Sequence, residues 1–181
     1  MTLLVLGLAL WIGSHFFKRL LPDLRQSMGN AGRGVVAFLS LAGLGLMIWG
    51  YRQADFIAIW QPPVWATHLN NLLMLFAVFF LGLAHSKGRL RARFRHPMLI
   101  SVKIWAVAHL LVNGDLASIV LFGGMLAWAV VSVILINRAE PWVPPTPGAP
   151  KRDAILVVAT LVAFGVITGI HTWLGVSPFP G

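Results

Sequence analysis

The stretch RHPMLISVKIWAVAHLLVNGD, residues 95–115, decides how the chain is read. It has the apolar density of a membrane helix, yet it holds Lys103 and His109 inside the run and closes on Asn113-Gly114-Asp115. Pro97 suits the first turn of a helix, where its missing N–H is no loss. Gly114 suits a left-handed helix end, and Asp115 can cap a following helix by accepting its first N–H groups. The spacing predicts a helix over 98–113, followed directly by another.

Working outward, the 181 residues are 58% hydrophobic and only 10% charged, against about 25% charged in soluble domains. Apolar runs of roughly the ~20 residues that span a bilayer as helix recur along the chain. They predict an all-α integral membrane bundle, one domain over 1–181. Its six transmembrane helices are expected at about 3–21, 34–51, 68–85, 98–113, 116–136 and 154–174. The first run lacks a basic leader before it and a small-residue cleavage site after it, so it reads as a retained helix rather than a signal peptide.

The charge of +9 does not point to nucleic acid, because the basic residues sit in short loops between apolar runs. Twelve of the 14 lysines and arginines fall after the first, third and fifth helices; Arg52 alone lies on the other side, and Lys103 within a span. That bias predicts cytoplasmic placement of those three loops. Both termini are then expected outside the cytoplasm. The run KGRLRARFRHP is basic enough to touch anionic membrane lipid, although a stop signal that fixes orientation is the preferred explanation. RAEPWVPPTPGAPKRD, rich in Pro and Gly, is expected as a flexible cytoplasmic connector. Gly165 and Gly169 form a GxxxG, and Gly43, Gly45 and Gly50 crowd the second helix. Such residues let helix backbones approach, first inside the bundle and second at a homodimer face.

Six histidines and no cysteine direct attention to imidazole chemistry. His68, His85 and His171 fall near span ends, where a ring reaches water or headgroups cheaply. His96 precedes Pro97 at a helix mouth and can cap it. His15 and His109 lie about twelve residues into their spans, roughly 18 Å from the entry side at 1.5 Å per residue. An ionisable group at that depth is a functional candidate. Two neutral imidazoles can bind haem iron axially between facing helices, and Trp11 and Trp105, one turn before each histidine, suit a porphyrin wall. A histidine bonded to a nearby backbone carbonyl is the other reading that spacing allows. The five acids lie outside the spans, so no buried carboxylate pair is available for proton relay or glycoside chemistry.

RHPMLISVKIWAVAHLLVNGD resembles the signature of the NnrU family of bacterial membrane proteins, with Arg-His-Pro, Trp-Ala-x-Ala-His and Asn-Gly-Asp in that order. GSHFFKRLLPDLRQSMGNAGR and the IWQPP of a later loop fit the same family, so the resemblance covers nearly the whole chain. It implies an all-helical protein of a bacterial inner (cytoplasmic) membrane, its termini on the periplasmic side, and a link to denitrification through expression or activity of nitrite and nitric oxide reductases. The family is in turn similar to the plant and cyanobacterial 15-cis-zeta-carotene isomerases, membrane proteins that carry haem b. That likeness implies His15 and His109 as iron ligands. In those isomerases a cysteine stands three residues before the second histidine; Ala106 stands there here, which rules out ligand exchange through a thiol.

On this reading the chain is a haem b protein that senses redox state, transfers electrons or assists maturation of nitrogen-oxide reductases. His15 and His109 bind the metal, and Trp11 and Trp105 flank it. His96 and Asn113 support the helix ends, and Arg93 or Arg95 neutralises a propionate. His68 and His85 are reserve ligands, and His171 is a further one. The competing readings are a haem-dependent cis-trans isomerase of a polyene lipid, an isoprenylcysteine-type methyltransferase and a cofactor-free scaffold. The methyltransferase shares the Arg-His-Pro but needs paired acids where only Glu140 stands.

Overall fold

The structure, a computed structural model, describes residues 1–179. It consists of α1 (Thr2–Leu20), α2 (Pro22–Ser27), α3 (Ala31–Arg52), α4 (Ala66–His85), α5 (Pro97–Val112), α6 (Leu116–Ala139) and α7 (Lys151–Trp173). The all-helical prediction holds, and no strand forms among the described residues. Five helices, α1, α3, α4, α6 and α7, are long and apolar enough to cross a membrane, which makes this a multi-pass membrane protein. The remaining expected span is shorter. Helix α5 has 16 residues, about 24 Å at 1.5 Å per residue, against a hydrocarbon core of ~30 Å. Pro97 starts it, and Asn113, in an extended conformation, stops it; the left-handed end expected at Gly114 does not form.

The chain divides into two compact units, Met1–Trp60 with Asp115–Gly124, and Gln61–Gly114 with Met125–Gly181. In the first, α1 and α3 run antiparallel with backbone against backbone. A methyl group on Gly7 would lie 2.6 Å from Met47 N and 2.7 Å from Gly43 O, and one on Gly43 would lie 2.9 Å from Gly7 O and from Trp11 N. Gly50 presses in the same way on Leu4 N. Only hydrogen fits at these three crossings. Tyr51 Oη and Ser118 Oγ share a hydrogen bond of 2.8 Å, and Leu116 N donates to Ile57 O at 2.9 Å. Asp115 caps α6 as its sequence position predicts: its carboxylate accepts from Ser118 N at 3.0 Å and from Ser118 Oγ at 2.5 Å.

In the second unit α4 packs on α5 and α7. Ser101 Oγ of α5 donates to Ala77 O of α4 at 2.7 Å, and the Gly82 position on α4 faces the Leu156 side chain of α7. The expectation that Gly165 and Gly169 pack inside the bundle is corrected. Nothing lies within 4 Å of a methyl group at either position, and Gly45 is equally open. Small size permits close approach only where a partner helix has an axis nearby, and the face of α7 that carries these glycines has none in its unit. The proline-rich connector is irregular from Pro141 to Ala149, yet it is pinned: Gly148 N donates to Gly88 O at 3.5 Å, and Gly88 abuts Asp153.

Candidate functional site

The first-unit candidate sits on α1, where the spacing of four places Trp11 and His15 on one face. His15 Nδ1 donates to Trp11 O at 2.8 Å, and the two rings stack with centroids 4.3 Å apart and planes 30° apart. Ser14, buried beside them, reaches Trp11 O at 2.8 Å and shares a bond of 2.9 Å with Ser40 of α3. Ser14 thus faces α3, and His15, the next residue along the helix, is exposed on a different side of α1.

The second-unit candidate repeats the arrangement on α5. His109 Nδ1 donates to Trp105 O at 2.9 Å, and the rings lie 5.3 Å apart at 49°. In both places the carbonyl bond fixes the proton on Nδ1 and puts the lone pair on Nε2, the outer-shell pattern that orients ligating histidines. The carbonyl-bonded reading and the ligand reading are thus compatible. The bond alone does not single out a ligand, because His171 Nδ1 makes the same one to Ile167 O at 2.8 Å. What His15 and His109 share, and His171 lacks, is the tryptophan one turn before.

His171 has its own distinction, because α7 brings it to a cavity that His109 also lines. Asn70 and Asn71 of α4 and Thr168 of α7 supply the other polar groups. Asn70 is 8% exposed, donates to Asn71 Oδ1 at 3.0 Å and leaves its own Oδ1 buried with no hydrogen-bond partner. Asn71 in turn donates to Pro178 O at 2.9 Å. The cavity measures about 50 Å³, room for a few waters at the ~10–15 Å³ each needs on this measure. A porphyrin does not enter it. His171, Asn70 and Asn71 were not singled out as a group by sequence, although two adjacent carboxamides within an apolar helix were the available signal.

The other site residues have structural partners. Asn113 Nδ2 donates to His109 O at 2.8 Å, so it closes the end of α5 and braces the helix turn that carries His109. His96 Nε2 bonds Asn137 Oδ1 at 2.8 Å. Arg95 Nη2 donates to Ile136 O at 3.2 Å and to Glu140 O at 2.6 Å, capping the last carbonyls of α6. Arg93 is exposed at the end of a short 3₁₀ turn, Leu90–Arg93, and His68 and His85 are exposed at the two ends of α4. Among the described residues, no three or more His, Cys, Asp or Glu side chains converge as a metal centre.

The sequence matches the family described as NnrU protein over residues 3–178, from the start of α1 to beyond the end of α7. The chain belongs to the NnrU family. The match takes in both Trp-x-x-x-His units, the Asn113 brace and the cavity on α4, α5 and α7 as one continuous NnrU sequence. No curated protein and no solved structure matches the chain.

Proposed function

We propose that this NnrU-family membrane protein binds haem b through His15 and His109. In this reading it serves nitrite and nitric oxide reductases by redox sensing, electron transfer or help with their maturation, at the bacterial inner membrane. The observation that carries the reading is the repeated Trp-x-x-x-His unit. Twice, an imidazole is held by its own helix carbonyl with its lone pair on Nε2 and an indole beside it. The donor set fits haem: a porphyrin brings four nitrogens of its own, so two imidazoles complete the iron where a bare ion would need more protein ligands. His15 is preferred to His171 as the second ligand because the space His171 shares with His109 is water-sized.

When bound, the haem would supply one-electron redox chemistry. The chain's own residues do the rest. Trp105 O and Trp11 O hold the two rings in one tautomer, Asn113 braces the His109 turn, and the apolar helices limit access of water. The test is an absorption spectrum of the protein purified after expression with haem supply. A Soret band is expected, with His109→Ala and His15→Ala each abolishing or shifting it and His171→Ala leaving it in place. A colourless wild type, or a His109→Ala spectrum identical to wild type, sinks the proposal.

A further inference from the structure

The second unit has an end where α4 stops, α5 starts, α6 stops and α7 starts, and hydrogen bonds sew it together. Arg95 binds the carbonyls closing α6, and His96 binds Asn137. Asp153 at the start of α7 accepts from Arg89 N at 3.1 Å and Leu90 N at 3.2 Å. Residues 86–96 and 137–153, which make up this end, carry eight lysines and arginines against Glu140 and Asp153. Asp153 is occupied by backbone, so the end is strongly cationic.

Two grooves open there. One, of about 510 Å³, is lined by Arg91, Arg95 and His96 from the loop before α5 and by Glu140, Pro141, Trp142 and Val143 from the connector after α6. The second, of about 280 Å³, runs from Lys87 past Arg91 to Pro145 and Thr146. Arg91 and Pro145 line both, so the two adjoin. Arg91 is held in place by one bond, from Nη1 to Phe94 O at 2.8 Å, which occupies one of the five N–H donors of a guanidinium. In the same lining, Trp142 is 39% exposed and Val143 81% exposed. A volume of this size is in the ~300–1,000 Å³ range of small-molecule sites. Its lining combines phosphate-binding guanidinium groups with an aromatic and aliphatic wall.

We propose that this groove binds the headgroup of an anionic membrane phospholipid, the phosphodiester on Arg91 and Lys87 and the upper acyl chain against Trp142 and Val143. The placement argues for the lipid source. The groove sits where membrane-length helices end, the level at which headgroups and interfacial tryptophan reside. A pinned connector gives it a second wall, which a simple orientation signal does not need. Glu140 in the lining disfavours a free, highly charged anion more than a singly charged phosphodiester.

The test uses the full chain, delipidated in neutral detergent, titrated with short-chain phosphatidylglycerol, phosphatidylcholine or inorganic phosphate, and read by native mass spectrometry and thermal shift. Saturable phosphatidylglycerol binding about tenfold tighter than phosphatidylcholine is expected. Arg91→Gln should reduce it to the phosphatidylcholine level, and Trp142→Ala should weaken both lipids. Arg152→Gln, which removes an exposed charge at the same end, should leave it unchanged. Equal binding of the two lipids, equal loss in Arg91→Gln and Arg152→Gln, or inorganic phosphate binding as tightly as phosphatidylglycerol would each overturn the proposal. The thermal midpoint of lipid-free Arg91→Gln separates lost binding from lost folding.

Discussion

The two units solve the same packing problem by opposite means. In the first, α1 and α3 meet through Gly7, Gly43 and Gly50, and the interface is main chain on main chain. In the second, α4, α5 and α7 meet through side chains and a serine-to-carbonyl bond, and they leave a polar cavity between them. In lipid, where apolar side chains gain little by leaving the solvent, both devices are available: dispersion from close backbones, or hydrogen bonds across helices. The glycine device leaves no room for a ligand between α1 and α3. The side-chain device leaves a space, and the space holds His109, His171 and a buried carbonyl of Asn70 without a partner.

That contrast can be broken most severely at the glycines. Gly43→Val should destabilise the first unit by about 3 kcal/mol or more, because the added carbons meet Gly7 O and Trp11 N, and backbone cannot move aside as a side chain can. Denaturant unfolding in detergent would measure it, and a loss below about 1 kcal/mol would mean the clasp is loose. Next is Asp115→Ala, which strips the cap from Ser118 N and the bond to its hydroxyl; about 1–2 kcal/mol is expected from the same measurement. Asp153→Ala in the second unit should cost about 1 kcal/mol and release the 86–96 loop, seen as faster proteolysis after Lys87 or Arg89. The smallest effect belongs to Gly165→Ala. With nothing within 4 Å, the methyl group should be tolerated and the helix stabilised by up to about 1 kcal/mol. If Gly165→Ala proves as damaging as Gly43→Val, the contrast between the units collapses.

Part of the candidate site was legible and part was not. Trp11 with His15 and Trp105 with His109 follow from a spacing of four on a helix, so their pairing was readable. Arg95 looked like a charge for a ligand and is a cap on α6, because its two acceptors come from residues more than forty positions away. His171 is the span-end residue its position indicated, in the last turn of α7, and what the sequence did not show is that it lines the cavity of His109. The five glycines of interest looked alike in sequence. Gly43 and Gly50 are in the clasp and Gly45, Gly165 and Gly169 are open, while Gly7, not singled out, stands at its centre.

The sequence by itself determined the helices, their apolar character, the stop at Asn113, the cap at Asp115 and the two histidine units. Each of these depends on residues within a few positions of one another, where local geometry decides. The tertiary structure alone decided which glycines carry another backbone, which arginine caps which helix, and that His171 and Asn70 share a space with His109. Those outcomes depend on which helix faces arrive together, and every face of an apolar helix is similarly compatible with lipid. Hydrophobic periodicity therefore cannot select among them.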